Sequence, residues 1–219
     1  MGRVLGSALR PSRGSERRRR RPVRRAVDDR ALIEERFELA GRTLTLLRPP
    51  SADELIDEQA FDDDEFLPYW AELWASGVAL AEHVGTLDLR GKRVVELGAG
   101  LGLPSLAAAI RGGDVLATDW ADDAVALLRA NAERNAVGIR VEGVRWDAPE
   151  PLLRDAPFDL VLAADVLYEA RNAAQLLELL PRLGGEILLA DPGRPFAKGF
   201  LGRWRVEELG DGLYRLGLP

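Results

Sequence analysis

Residues 94–105 read Val94-Val95-Glu96-Leu97-Gly98-Ala99-Gly100-Leu101-Gly102-Leu103-Pro104-Ser105. An apolar run breaks into three alternating glycines and resumes as an alanine-rich segment, LPSLAAAIR. A buried strand that turns sharply into a helix has this pattern, and such turns lie beside nucleotides. A dinucleotide fingerprint requires Gly-x-Gly-x-x-Gly, whose third glycine lets helix and strand close together under a pyrophosphate. That third position is Leu103 here, so the spacing is Gly-x-Gly-x-Gly, with Glu96 two residues ahead of it. A carboxylate at that point repels phosphate and suits a ligand carrying an ammonium group. The next strand, VLATD, closes on Asp119, 21 residues after Gly98, where a carboxylate can take both hydroxyls of a ribose.

Outward from this turn the chain keeps a strand–helix rhythm. RVVEL is a strand, LPSLAAAIR a helix, DVLAT a strand and DDAVALLRANAERNAV a helix, with Gly138 expected as its C′ residue. IRVEGV and FDLVLAAD are strands, AAQLLELLPRL a helix and GEILLAD a strand. The end, WRVEEL-Gly210-Asp211-Gly212-LYRLGL, predicts a hairpin about an Asp-Gly turn. Upstream, FELAGRTLTLL predicts a short hairpin, and Ser51-Ala-Asp-Glu54 a capping box that opens a helix. The acidic stretch Asp62–Glu65 then leads through LPYWAELWASGVALAEHV, a turn followed by a helix to about Val84. The fold class is therefore α/β: a Rossmann-like, doubly wound, mostly parallel sheet with a C-terminal antiparallel hairpin. Its ligand is expected beyond the carboxyl ends of the strands, where the strand order switches.

Composition narrows the chemistry. The 219 residues suffice for one globular unit with a real core, and 47% hydrophobic with 30% charged residues is ordinary for a soluble chain. No apolar run approaches the roughly 18 residues that span a bilayer, so no membrane role is expected. There is no cysteine, and His83 is the sole histidine. Disulfides and thiolate nucleophiles are excluded, a His-based triad is nearly so, and no metal is expected. Two lysines, Lys92 and Lys198, make Schiff-base chemistry a poor prospect. His83 lies in the apolar ALAEHV segment and reads as structural.

The net charge of −6 hides two unlike parts. Residues 1–25 hold ten arginines and one acid, Glu16, a local +9 that leaves −15 on the remainder. Residues 1–27 are taken as a disordered Arg-rich tail, with a targeting segment, a functional tail and a start-site artefact all open. Residues 28–90 are taken as a hairpin and helices that cover the cofactor site, and 91–219 as the cofactor-binding core. The acidic body repels phosphate, so no nucleic-acid partner is expected. Richness in alanine, arginine and leucine reads as a GC-rich bacterial source and a cytoplasmic setting.

A ligand with a ribose, an amine and no phosphate is S-adenosylmethionine. VVELGAGLGLPS, LATDW, RWD and FDLVLAADVLY resemble the motifs of class I methyltransferases. Trp74 in PYWAELWASG, Asp165-Val166-Leu167-Tyr168 and ILLADPGRP resemble the seven-β-strand protein lysine methyltransferases more closely. ILLADPGRP in particular is similar to the branch that includes the electron-transfer-flavoprotein β-subunit lysine methyltransferase. The resemblance runs from about Phe66 to Phe200, with one departure: Ala75 stands where the family often has a proline.

This resemblance implies cofactor contacts at Trp74, Glu96, Gly98, Ala99, Gly100, Asp119, Trp120, Trp146 and Ala164. Trp146 follows a strand where it can flank an adenine, and Asp147 can accept from the exocyclic amine. Methyl transfer from a sulfonium is an in-line displacement, so the protein mainly aligns donor with acceptor and excludes water. Asp165 and Tyr168 are the candidate catalytic residues that hold and orient the acceptor, with Asp191 and Arg194 at the substrate mouth. The function expected is methyl transfer to a lysine of a protein, such as an electron-transfer flavoprotein or a ribosomal protein. A small-molecule N- or O-methyltransferase, a non-catalytic cofactor-binding module and, last, a nicotinamide dehydrogenase remain as alternatives.

Overall fold

The computed structural model describes residues 32–52 and 68–218. The Arg-rich tail, the acidic stretch and the helix expected from the capping box at Ser51 fall wholly or mostly outside them.

A two-stranded sheet, β1 (Ile33–Leu39) and β2 (Arg42–Arg48), comes first. Ala40 and Gly41 both take positive φ, as a two-residue hairpin turn needs. A 3₁₀ turn (Tyr69–Ala71) and α1 (Ala75–Val84) lead into β3 (Arg93–Leu97), α2 (Leu103–Ile110), β4 (Asp114–Asp119), α3 (Asp122–Arg134) and β5 (Arg140–Gly143). Then follow α4 (Glu150–Asp155), β6 (Leu160–Ala164), α5 (Ala170–Leu183), β7 (Glu186–Ala190), α6 (Ala197–Leu201), β8 (Arg205–Gly210) and β9 (Leu213–Gly217). The main sheet runs β5-β4-β3-β6-β7-β9-β8, parallel except for β9, which is antiparallel to β7 and β8. The closing hairpin turns on Asp211 and Gly212, both at positive φ.

The parallel strands bury both faces, which is why they read as unbroken apolar runs. Val94, Leu160, Leu162 and Leu188 face one core, shared with α1, α2 and the N-terminal hairpin through Leu39, Leu44 and Leu46. Val95, Val161, Ala163 and Leu189 face the other, shared with α5, α6 and Trp204. Burying one such leucine contributes about 1.5–3 kcal/mol. The chain lays down β3, β4 and β5 in one direction, then returns to place β6 on the opposite side of β3. The switch point therefore lies between the ends of β3 and β6, where Gly98 and Asp165 follow.

Two features depart from the sequence expectation. Helices α4 and α6, of six and five residues, have no counterpart in the expected elements. Helix α3 ends at Arg134 rather than at Gly138: Ala136 takes the left-handed C′ position (φ 51°). The amides of Ala136 and Val137 donate to the carbonyls of Glu133 and Ala132, both at 3.0 Å, which is a Schellman closure. Ala75 is the first residue of α1 after Trp74 in extended conformation. That is the position where a proline also fits, so the family's turn survives its absence.

Helix α3 also holds the hairpin by side chains. Asn131 Oδ1 accepts from Leu47 N–H (2.7 Å), and its Nδ2 donates to the carbonyls of Leu47 (3.2 Å) and Leu101 (3.1 Å). One turn later Asn135 does the same for Thr45, at 2.8 and 2.9 Å. The two amides thus stand in for a neighbouring strand along β2.

Asn131→Ala removes partners from buried backbone groups and should cost about 3 kcal/mol in urea unfolding. Ala136→Gly relieves a left-handed alanine and should raise stability by up to about 1 kcal/mol in the same measurement.

Candidate functional site

At the switch point a cavity of about 230 Å³ opens between the turn after β3, the ends of β4, β5 and β6, and the 3₁₀ turn before α1. Gly100 takes φ 52°, and a Cβ there would sit 3.0 Å from the Trp70 carbonyl oxygen, so the aromatic segment closes directly on the turn. Gly102 (φ 83°) leads into α2, where any Cβ would overlap Leu128 Cδ1 at 2.0 Å.

Glu96 lines this cavity and is only 2% exposed. Its Oε2 accepts from the Ser105 amide (2.8 Å) and from the Ser105 hydroxyl. Ser105 lies in the first turn of α2, so a helix N-terminus that could cradle a phosphate gives an amide to a carboxylate instead. Burial pushes the Glu96 carboxyl up to about 8, against the opposing pull of the Ser105 bonds, and the nearby Asp119 adds to the rise.

Asp119 stands behind the lining rather than in it. Its Oδ2 accepts from Gly100 N–H and its Oδ1 from Ala121 N–H, both at 3.0 Å. Burial raises its pKa while these amides oppose the rise. The carboxylate proposed from sequence for a ribose also fixes the glycine turn.

The other expected cofactor residues, Trp74, Gly98, Ala99, Gly100, Trp120, Trp146, Asp147 and Ala164, all line the cavity. Trp146 stands against Gly98, whose added Cβ would meet its ring at 3.5 Å. Trp120 is 45% exposed, and the Arg145 guanidinium lies 5.8 Å from its ring centre. Asp147 accepts two bonds from Arg145, at 3.0 Å each, and this pair holds its carboxyl below the usual range. An adenine amine would therefore meet a carboxylate already paired.

Asp165 and Tyr168 line the same cavity. Asp165 sits in left-handed conformation (φ 55°), a position aspartate tolerates better than most residues, and its N–H donates to the Ala190 carbonyl at 2.8 Å. The Tyr168 ring is 5.1 Å from Tyr69, and Tyr69 is 6.3 Å from Trp74. Burial raises the Tyr168 phenol above its ordinary pKa, with an Asn172 bond opposing.

Asp191 and Arg194, expected at the substrate mouth, do not form its lining. Asp191 is buried beneath the loop that follows β7, and Arg194 is folded onto Asp165 in a two-bond ion pair. Tyr69, Trp70, Arg145, Arg171, Asn172 and Gln175 line the cavity without having been singled out from sequence. The first two adjoin Trp74 in PYWAELW and were visible there; Asn172 and Gln175 follow Tyr168 at helical spacing. Among the described residues no cluster of three acidic or histidine side chains could hold a metal ion, and no helix is long and apolar enough to cross a membrane.

The donor set fits S-adenosylmethionine: a buried acid for an ammonium, aromatic faces for an adenine, and a turn whose Gly100 and Ser105 amides are already given to carboxylates. Comparison with known proteins points the same way. A lysine methyltransferase family profile matches residues 64–189, more than half of the chain. A protein N-lysine methyltransferase of Danio rerio is 35% identical over 120 residues, covering 52% of this chain and 55% of its own. An electron transfer flavoprotein beta subunit lysine methyltransferase of Xenopus laevis is 34% identical over 137 residues, covering 58% and 53%. The chain thus spans about half the length of these curated relatives. For the fold, a 16S rRNA methyltransferase of T. Thermophilus, solved with AdoMet and guanosine, superposes with a TM-score of 0.61 at 19% identity. It covers 86% of this chain and 51% of that one.

The raised Glu96 pKa has a consequence for stability. Between its ordinary 4.5 and about 8, the folded protein keeps a proton that the unfolded chain has released. This residue's contribution to stability therefore falls as pH rises through that window and is level above it. In thermal unfolding from pH 5 to 8.5, Glu96→Gln should gain steadily on wild type, with the difference flattening above pH 8.

Proposed function

The chain belongs to the lysine methyltransferase family, and from that premise we propose that it transfers a methyl group from S-adenosylmethionine to a lysine side chain of a protein. The observation that carries this reading is one cavity lined by two unlike sets of residues. One set is Glu96 with the glycine turn, and the other is Asp165 with Trp74, Tyr69 and Tyr168.

When bound, the cofactor supplies an electrophilic methyl group on a sulfonium with its own leaving group. The residues of the chain bind and align. Glu96 would take the ammonium, Trp146 would flank the adenine, and Asp119 would keep the glycine turn in place while offering its remaining lone pairs to the ribose. Asp165 would orient a basic acceptor, and Tyr168 would present a ring face to its nitrogen.

An attacking lysine must first lose its proton. Enclosure among aromatic rings lowers an amine pKa, whereas a bare carboxylate would raise it. Asp165 is already paired with Arg194, so the acceptor end is less acidic than its sequence suggests. One relative is an electron transfer flavoprotein beta subunit lysine methyltransferase, which makes that beta subunit the first acceptor to try.

The test is incubation with methyl-labelled cofactor and cell extract, followed by mass spectrometry of the labelled fraction. Label on a protein lysine is expected. Label on arginine or in the low-mass fraction would replace the acceptor, and tight cofactor binding with no label at all would point to a binding module. Asp165→Asn keeps a residue tolerant of positive φ; it should leave cofactor affinity within about threefold and lower turnover by about 100-fold through loss of acceptor alignment.

A further inference from the structure

Arg194 occupies the carboxylate assigned above to a basic acceptor. Its loop is set by Asp191, whose Oδ1 accepts the backbone N–H groups of Gly193 (2.8 Å) and Arg194 (2.7 Å). From there the guanidinium reaches Asp165, with Nε donating to Oδ1 at 2.6 Å and Nη2 to Oδ2 at 2.9 Å. Its Cζ lies 5.2 Å from the ring centre of Trp74. A carboxylate flanked by aromatic faces is a receptor for a cation. Here the cation it holds is the protein's own.

We propose that Arg194 is a displaceable plug in the acceptor site: a basic side chain enters by replacing the guanidinium on Asp165 and Trp74, and Arg194 withdraws toward the Asp191 carboxylate of its own loop. This rests on the reading of the cavity given above and adds a selection step to it. The exposures favour motion of the arginine rather than of its partner, because the Arg194 side chain is 32% exposed and that of Asp165 only 4%. Asp191 offers the second partner. It is 1% exposed, and no described residue donates to its Oδ2.

The plug has a physical purpose. A carboxylate as buried as Asp165 is costly without a counter-charge, and Arg194 supplies one while no acceptor is present. An incoming cation can take over that duty; a neutral acceptor cannot, and would leave Asp165 buried and unpaired. The device therefore selects charged amines over hydroxyl or neutral nitrogen acceptors before any chemistry occurs. Lysine reaches the site as the ammonium and gives its proton to solvent water before it attacks.

The experiment uses the full chain loaded with S-adenosylhomocysteine and titrated with n-butylammonium chloride by calorimetry. Arg194→Gln should bind this cation at least tenfold more tightly than wild type. Arg194→Lys should fall between them, since one ammonium cannot reproduce the forked pair. Adding Asp165→Asn to Arg194→Gln should abolish the gain. S-adenosylhomocysteine affinity, measured on each variant, reports that the cavity has kept its shape, and Arg194→Lys carries the test if the glutamine variant does not fold. Equal butylammonium affinity in wild type and both Arg194 variants, or a gain that survives Asp165→Asn, overturns the plug. Label on something other than lysine in the extract experiment overturns the proposed acceptor instead, because the cation titration is read without any transfer.

Discussion

The turn from β3 into α2 is held by two carboxylates that have been taken out of water. Glu96 ties the first turn of α2 through Ser105, and Asp119 ties Gly100 and Ala121 across the next strand. Both are buried, and burial raises both pKa values. Two buried acids whose charged forms repel each other gain from a positive charge placed beside them and lose from a negative one. The same bonds that set the main chain thus make the site refuse a pyrophosphate and accept an ammonium. Geometry and ligand sign come from one arrangement.

That turn is braced from outside the sheet. Asn131 reaches both the β2 backbone and the Leu101 carbonyl, so the N-terminal hairpin, helix α3 and the glycine turn share one side chain. Trp70 closes on Gly100 from the other side. The turn is therefore braced by segments far apart in sequence, on one side through the hydrogen bonds of Asn131 to backbone groups and on the other through the close approach of Trp70. Rigid positioning of this kind suits a reaction in which the protein's main task is alignment.

The parallel strands were legible because burial on both faces leaves unbroken apolar runs, and the glycine turn because its spacing contradicts the dinucleotide pattern at Leu103. Helices α4 and α6 were not legible. Each is too short to show a period of 3.6, and Pro149, Pro151, Gly199 and Gly202 around them read as turn residues. The end of α3 misled in the opposite way. Gly138 is the residue type a helix stop prefers, yet the chain reverses two residues earlier, at Ala136, next to an Asn135 held by the hairpin. In the site, residue types marked which side chains gather but not what they already hold. Arg145 stands two residues from Asp147, but nothing local to Asp165 announces that Arg194 has paired with it.

Those pairings divide the cavity into two electrostatic regimes. At the cofactor end Glu96 and Asp119 are bonded, among the described residues, to amides and a hydroxyl but to no cation, so the charge they need comes with the ligand. At the acceptor end Asp165 already has its counter-charge in Arg194. A bare carboxylate there would hold an ammonium firmly and keep it protonated, which favours binding but opposes attack on the methyl group. A carboxylate for which Arg194 competes attracts a visiting amine less and releases its proton more readily. The acceptor end trades affinity for reactivity, and the residue that sets the trade lies on the loop after β7, outside the lining of the cavity it controls.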